Sequence, residues 1–378
     1  MRVLHSGTLD VNAGGPAMST YYTLYGLREL GVDAEIVQYP LSEGGRMRGT
    51  EIPVHFISHQ PIERKFYYSP YYCREVKALG TYDIYHAQGV WTWTTYGLID
   101  IVRKLKRPYI ITPRGMLYPQ DIEKANTAIK KLSLKLRLLR DLNRAACVQV
   151  TCDDEMNYCR ELGVTAPIAV IVNPVDDTEA KCTKSDGVRR IGYLGRISKR
   201  KNVESLIYAF AELGNEAKTS ELLIIGGGDK DYEAFLRKEV SRLSLQNVHF
   251  TGFLSGYEKD RAIASCSVLA MPSEFENLGN VILEGLVRGI PCVATKGAPW
   301  SDLEKYQCGW WIEYNQSSIT NAIKQAIEIS DNDLYSMGER GKKLIKEKYS
   351  IASVASRMKC LYEWIVSKSE RPLFVFLD

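Results

Sequence analysis

Residues 267–295 read SVLAMPSEFENLGNVILEGLVRGIPCVAT, and their pattern predicts the fold class. Its two ends, SVLAMPS (267–273) and PCVAT (291–295), are short apolar runs typical of buried strands. Between them, NVILEGLVRG (280–289) has the apolar spacing of a helix that ends at Gly289. Two strands joined by a helix form a parallel pair, so the stretch predicts an α/β sheet.

The same alternation of strand and helix runs along the rest of the chain. It pauses at a polar segment, DDTEAKCTKSDGVRR (176–190), and restarts with RIGYLGRI (190–197). We therefore predict an α/β fold of two Rossmann-like, doubly wound domains that face a cleft. The predicted boundaries are 1–172 for the first domain, 173–188 for a linker and 189–350 for the second. Ligand sites in such sheets lie at the carboxyl ends of the strands.

Composition narrows the class of protein. At 378 residues the chain is long for one core, and 45% hydrophobic with 25% charged residues is typical of a soluble globular protein. No apolar run is long enough to span a membrane, and the start, MRVLHSGTLDV, lacks the apolar core of a signal peptide. A net charge of +4 is too small to predict a nucleic-acid partner, and nine cysteines without CxxC spacing indicate a reduced, cytoplasmic protein.

A basic turn follows the first strand of the second half. YLGRISKRKN (193–202) carries Arg196, Lys199, Arg200 and Lys201. Such a cluster suits a diphosphate, because Arg binds phosphate oxygens with two donors and Lys acts as a point charge. A solvent-exposed basic turn is the alternative.

A glycine turn follows the first strand of the chain. Gly14 and Gly15 in NAGGPA (12–17) open the first helix, where glycine lets a ligand approach the backbone and the helix start favours an anion. A purely structural turn is the alternative. The spacing is not GxGxxG, so a dinucleotide cofactor is not expected.

Two carboxylates flank the helix of the opening stretch. Glu276 and Glu284 are eight residues apart, up to about 12 Å at helical rise. That span fits the two ends of a nucleotide sugar, with one carboxylate on sugar hydroxyls and the other on ribose hydroxyls. Main-chain N–H groups near residues 278–280 would attract phosphate. The alternative is a helix-start Glu stabilised by the helix dipole together with a surface Glu.

EFENLGNVILEGLVRGIPCVAT (274–295) resembles the Glu-x7-Glu motif of retaining glycosyltransferases of family GT4, which have the GT-B fold. The resemblance covers nearly the whole chain. Its other motifs occur in the family's order: the turn at Gly14-Gly15, TPRGML (112–117), NPVD (173–176), GRISKRKN (195–202) and KGAPWSDL (296–303). The final helix, in residues 351–378, is expected to pack back on the first domain, as in relatives.

The resemblance implies a role for each motif residue. Arg196 and Lys201 would hold the donor diphosphate, Glu276 the transferred sugar and Glu284 the ribose; the first three are the expected catalytic residues. The other expected donor contacts are Gly14, Gly15, Arg114, Asn277, Leu278, Gly279 and Asn280. Arg114 stands where many relatives have a histidine that contacts the sugar.

Three residues of the first domain are candidates for the acceptor site. His86 ends a strand where relatives often have histidine, and a structural strand-end histidine is the alternative. Trp91 and Trp93, in WTWTTYG (91–97), are aromatic rings that could stack on a sugar, with core packing as the alternative.

The implied activity is metal-independent, retaining transfer of a sugar from a UDP- or GDP-linked donor to a sugar or lipid-linked saccharide. The expected setting is assembly of a bacterial surface polysaccharide such as capsule, exopolysaccharide or lipopolysaccharide. No cofactor is expected besides the nucleotide-sugar co-substrate, and no Asp-x-Asp loop indicates a metal. The alternatives are a GT-B nucleotide-sugar epimerase and a non-catalytic sugar-nucleotide-binding scaffold.

One long segment is strongly basic. Residues 124–146, KANTAIKKLSLKLRLLRDLNRAA, carry seven Lys or Arg and one acid, with leucines at helical spacing. A basic amphipathic helix predicts contact with the inner membrane surface, which would make the protein cytoplasmic and peripheral to the membrane. A core-covering helix with a solvated basic face is the alternative. The apolar tail RPLFVFLD (371–378) gives no prediction.

Overall fold

A computed structural model of the chain describes residues 1–45, 51–58, 61–62, 66–123, 126–177 and 187–377. The chain divides into two compact units, Met1–Pro174 together with Ser350–Asp378, and Val175–Tyr349. Each unit contains a mainly parallel sheet with helices between its strands, which confirms the predicted α/β, Rossmann-like class. The predicted linker, 173–188, lies partly outside the described residues.

Regular elements follow one another as the alternating pattern predicts. Within the described residues the strands are β1 (Arg2–Ser6), β2 (Asp33–Gln38), β3 (Val54–Phe56), β4 (Ile84–Gln88), β5 (Tyr109–Thr112), β6 (Cys147–Val150), β7 (Ile168–Val170), β8 (Arg189–Leu194), β9 (Ser220–Ile225), β10 (Val248–Gly252), β11 (Val268–Met271), β12 (Cys292–Thr295), β13 (Gly309–Ile312) and β14 (Val375–Phe376). The helices are α1 (Gly15–Glu29), α2 (Tyr72–Ala78), α3 (Trp93–Leu105), α4 (Pro119–Glu123), α5 (Thr127–Ser133), α6 (Leu139–Asn143), α7 (Asp153–Glu161), α8 (Glu204–Leu213), α9 (Lys230–Arg242), α10 (Gly256–Ala264), α11 (Asn280–Leu286), α12 (Asp302–Lys305), α13 (Gln316–Glu328), α14 (Asp331–Leu344) and α15 (Ile351–Ser367).

The first unit has a sheet of order β14-β7-β6-β5-β4-β1-β2-β3, parallel except for β14. The chain runs from β1 outward to β3 and then returns to β4, which pairs with the other side of β1. The strand order therefore reverses between β1 and β4. Nearly every residue of these two strands is buried, as in a sheet covered on both faces.

The second unit has an all-parallel sheet of order β10-β9-β8-β11-β12-β13. Its order reverses between β8 and β11, which pair through Val268 beside Ile191. In open α/β sheets, ligands bind outside the carboxyl ends of the strands at such a reversal. The sequence did not predict β13, a half-buried strand that contains two tryptophans.

The apolar tail forms β14, the edge strand of the first sheet. Val375 and Phe376 pair antiparallel with Ala169 and Ile168 of β7, and Val375 is buried. The tail therefore covers a sheet edge that would otherwise expose unpaired backbone groups.

The basic segment is helical but not one regular α-helix. After residues 124–125, which lie outside the described residues, α5 and α6 are joined by residues 134–138 in π-helical geometry. None of the helices in the described parts of the chain combines the length and hydropathy that crossing a bilayer requires.

Helix α15 belongs to the first unit and lies against α1. The contact is close at Gly26, where an added Cβ would stand 2.7 Å from Ala355 Cβ and from Ile351 Cγ2. Only a residue without a side chain fits this helix crossing. Gly26 thus fixes how the last long helix packs in the first unit.

We predict that Gly26→Leu lowers the melting temperature of the first unit by roughly 4–8 °C, because overpacking a helix contact costs about 2 kcal/mol. Thermal unfolding followed by circular dichroism measures the shift. Ala352→Leu, at an exposed position of α15 beside the same contact, is the matched control and leaves the transition nearly unchanged. Equal shifts for both variants would contradict the packing argument.

Candidate functional site

The candidate site lies in the second unit, where the strand order reverses between β8 and β11. The loop after β8 carries Arg196 and Lys201, and the loop after β11 carries Glu276. A main-chain hydrogen bond joins the two loops, from Glu274 N to Arg200 O at 2.9 Å. Glu276 N donates to Gly297 O at 2.8 Å, which adds the loop after β12 to the same set. Three strand ends therefore position these side chains.

Lys201 and Glu276 form an ion pair at the centre of these loops. Lys201 Nζ binds Glu276 Oε1, which also accepts a hydrogen bond from Ser273 Oγ at 2.8 Å. The side chains are only 21% and 11% exposed. A carboxylate with so little access to water needs both partners. Glu276 is therefore not an ordinary surface residue at a helix start.

Arg196 lies on the same loop but is exposed. Its carbonyl accepts a hydrogen bond from Tyr193 Oη at 2.8 Å, which holds the backbone in place. Tyr193 is buried beneath the loop, and burial, with a smaller contribution from the Glu276 carboxylate, raises its pKa. Among the described residues the Arg196 guanidinium has no hydrogen bond or ion pair. Arg196, Lys201 and Glu276 together carry a net charge of +1, which favours an anion.

The main chain of residues 277–280 leads into α11. Gly279 has φ 76°, and a Cβ there would stand 2.6 Å from the Met271 side chain, so glycine is required on both counts. The amides of Leu278, Gly279 and Asn280 have no hydrogen-bond partner within the described residues. Helix α11 is seven residues long, and turns with a left-handed Gly289 complete the predicted span to that residue.

Glu284, on α11, is paired with a residue that the sequence did not single out. Lys259 Nζ of α10 lies 2.5 Å from Glu284 Oε2, and both side chains are half-buried. The two carboxylates of the Glu-x7-Glu motif thus each bind a lysine from a different element. No local pattern marks Lys259, because its partner lies 25 positions away on another helix.

Arg114, expected to contact the donor, is bonded within the first unit. It is half-buried and has φ 59°, and burial lowers its pKa to about 10. Its five N–H groups donate to oxygen atoms of neighbouring side chains: Gln88 Oε1 (twice), Ser19 Oγ, Thr20 Oγ1 and Asn173 Oδ1. In this conformation Arg114, just after β5, joins β4, α1 and the segment that follows β7, and no N–H is left for a ligand.

His86, a candidate acceptor residue, is fully buried. Its Nδ1 hydrogen-bonds Tyr362 Oη at 2.8 Å and its Nε2 hydrogen-bonds Thr112 Oγ1 at 2.6 Å. Burial, together with His5 and Arg114, lowers its pKa well below the ordinary value, so the ring is neutral. This arrangement matches the structural strand-end alternative, because both ring nitrogens are used.

Trp91 lies on the loop after β4 and Trp93 begins α3, and both are half-buried. Trp91 has φ 67°, and its Nε1 donates to Met116 O at 3.1 Å. Trp93 packs against Phe66 and Tyr68, with ring centroids 6.2 and 5.1 Å away. The two partners are part-exposed, so an aromatic surface lies at the carboxyl edge of the first sheet.

The remaining predicted donor contacts, Gly14 and Gly15, begin α1 at the same edge. Gly14 is exposed, has φ 70° and precedes the helix without a side-chain cap. In the described parts of the chain no three His, Cys, Asp or Glu side chains come together as metal ligands would.

Two glycosyltransferase family profiles match most of the chain. The profile of the family described as "Glycosyl transferase 4-like domain" matches residues 14–174, and that of "Glycosyl transferases group 1" matches residues 175–344. The two matches adjoin where the structure changes from one unit to the other.

Two relatives are about a quarter identical to the chain within the regions that align. The GDP-mannose-dependent monoacylated alpha-(1-6)-phosphatidylinositol monomannoside mannosyltransferase of Corynebacterium glutamicum is 28% identical over 48% of this chain and 49% of its own length. The capsular polysaccharide biosynthesis glycosyltransferase CapM of Staphylococcus aureus is 26% identical over 48% of this chain and 47% of its own. The chain thus matches about half the length of these curated relatives.

The fold of the chain is also found in solved glycosyltransferase structures. HepE of Anabaena, in complex with UDP and glucose, superimposes with a TM-score of 0.74 at 19% identity, over 95% of this chain and 98% of that one. With two adjoining family profiles and this fold, the chain belongs to the GT4 glycosyltransferases of GT-B fold.

Proposed function

We propose that the protein transfers a sugar, with retention of the anomeric configuration, from a UDP- or GDP-linked donor to an acceptor hydroxyl. The observation that carries this proposal is the cluster at the strand reversal of the second unit. There the Lys201–Glu276 ion pair stands on the same loops as Arg196, whose guanidinium has no partner in the described chain. A cluster with spare positive charge and a fixed carboxylate fits the diphosphate and the sugar of one donor molecule.

The chemistry follows from where charge develops. The bond between the anomeric carbon and the diphosphate oxygen breaks, and its electron pair leaves with the diphosphate. Arg196 and Lys201 stabilise that negative charge. The acceptor hydroxyl attacks the same face of the sugar and gives its proton to the leaving phosphate oxygen, so the new glycosidic bond keeps the original configuration. This step needs neither a protein base nor a metal.

In this proposal, the carboxylates of Glu276 and Glu284 bind different parts of the donor. Glu276 accepts hydrogen bonds from hydroxyls of the transferred sugar, while Lys201, bound to it, also faces the diphosphate. Glu284 accepts from the ribose hydroxyls, and Lys259 keeps it oriented and neutralises its charge. The amides of residues 278–280, which have no partner in the described chain, supply further donors to phosphate.

For the acceptor we propose a sugar or a lipid-linked saccharide. The part-exposed rings of Phe66, Tyr68 and Trp93 offer apolar faces on which a sugar ring stacks. The relatives' names support a role in surface polysaccharide or glycolipid assembly, since one concerns a capsule and the other a phosphatidylinositol mannoside. The proposed place of action is the inner face of the cytoplasmic membrane.

We predict that Arg196→Ala weakens the binding of UDP or GDP, whichever binds, by about 10- to 100-fold, because a charge-assisted contact to phosphate is lost. The binding of the matching nucleoside changes little. Isothermal titration measures both. Arg237→Ala, on the exposed side of α9, is the control. Equal affinity of wild type and Arg196→Ala for the diphosphate would contradict the proposed site.

We predict that Glu276→Gln lowers transfer by roughly 100- to 1,000-fold while nucleoside diphosphate binding persists, because the lost charge acts on the sugar. Wild type and variant are compared with a panel of UDP- and GDP-sugars, by release of the nucleotide. Glu274→Gln, exposed and two residues away, is the control. Nucleotide binding by the wild type without turnover of any donor would favour the scaffold alternative.

We predict that the product keeps the donor's anomeric configuration and that EDTA leaves the rate unchanged, because the step uses only protein cations. Proton NMR of the product reports the anomeric coupling constant. An inverted product, or activity that chelation removes and magnesium restores, would refute the proposed mechanism while leaving the fold assignment intact.

A further inference from the structure

The basic helix, residues 127–143 from α5 through α6, has an inner face that packs fully against the first unit. Leu138 and Leu142 are buried in the core of the first unit. Ser133 Oγ hydrogen-bonds Tyr96 Oη at 2.8 Å, and the Arg137 guanidinium lies 4.7 Å from the Tyr96 ring. The helix is therefore anchored on α3 without help from its outer side chains.

The outer face of the basic helix is apolar where a soluble helix would be polar. Ile129, Leu132 and Leu136 are 69%, 58% and 66% exposed. Their spacing of three and four residues places them on one side of the helix. Three large aliphatic side chains standing together in water mark a surface for another molecule. We call these three residues the apolar ridge.

Cations flank the apolar ridge, and the helix itself contributes no acid to that face. Lys131, Lys135, Arg140 and Arg144 are exposed. The only acid between residues 126 and 146 is Asp141, which is buried and held by Arg137 Nε at 3.0 Å. From α4, the exposed carboxylate of Glu123 lies 3.9 Å from Lys131 and offsets part of the charge of that lysine. Along the described part of the helix the solvent face is thus positive and apolar at once.

We propose that the apolar ridge and its flanking cations bind the surface of an anionic lipid bilayer, with the helix lying in the plane of the interface. Aliphatic side chains enter the boundary between headgroups and acyl chains, while Lys and Arg reach lipid phosphates. A protein partner fits less well, because protein interfaces are enriched in aromatic residues and depleted of lysine. The link to a lipid-linked acceptor rests on the proposed function, but the lipid contact itself does not.

The test uses the full-length protein and vesicles of phosphatidylcholine with or without phosphatidylglycerol, separated by sedimentation. The wild type is expected to bind vesicles that contain phosphatidylglycerol and to lose this binding at high salt. Leu132→Ser is expected to lower the partition coefficient about tenfold, and the triple change of Ile129, Leu132 and Leu136 to Ser by more than about 100-fold. Tyr335→Ser, which removes an equally exposed side chain from α14, leaves binding unchanged.

Two further measurements test whether the triple variant is folded and whether the donor site is present. An unchanged melting temperature of the triple variant shows that it is folded, as expected from its intact inner face. UDP and GDP titrations show separately whether the donor site is present, so failure there would count against the proposed function only. The lipid proposal is overturned if the wild type ignores phosphatidylglycerol vesicles or if the triple variant binds them equally. It is also overturned if the substitutions only convert a dimer to a monomer in analytical ultracentrifugation.

Discussion

The half-buried ion pair of Lys201 and Glu276 exists because two loops that are 75 residues apart in the chain leave neighbouring strands. Removing either partner would leave a charge with little access to water, so each requires the other. The main-chain bond between Glu274 and Arg200 holds the two loops together independently of the pair. The two charges are therefore held in place by the protein itself, so an anion that bound there would require little reorganisation.

Both units have a parallel sheet whose strand order reverses, but the polar side chains near the two reversals differ in how many of their hydrogen-bonding groups have partners. In the first unit, Arg114 directs all five N–H groups to protein oxygens, and both nitrogens of His86 are bonded. In the second unit, Arg196 has no partner in the described chain. Unused hydrogen-bonding capacity, rather than the mere presence of polar residues, therefore distinguishes the exposed cation of the second unit from the internally bonded polar core of the first.

The sequence predicts those features of the fold and site that depend on residues close together in the chain. The alternation of apolar runs predicted the strand–helix order of both units, and Arg196, Lys201 and Glu276 were found because each follows a predicted strand. β14 was missed because two residues carry no periodicity and their partner, β7, lies about 200 positions earlier. Lys259 was missed for the same reason, since its contact with Glu284 depends on how two helices pack. The resemblance placed Arg114 where many relatives have a histidine that contacts the sugar. It did not reveal that all five N–H groups of Arg114 bind oxygen atoms of the protein itself.

Completion of the first unit requires the end of the chain. Tyr362 Oη, on α15, lies 2.8 Å from His86 Nδ1 and 3.0 Å from His5 Nε2, so it satisfies two buried imidazoles on the strands at the reversal. The second unit is thus an insertion between β7 and α15, and its two connecting ends are held together by the bond from Val175 N to Tyr349 O at 2.9 Å. A fragment that stopped at Pro174 would expose Gly26 and leave both histidines without Tyr362. The first unit's polar core, and the helix α1 that packs on it, therefore depend on residues synthesised last.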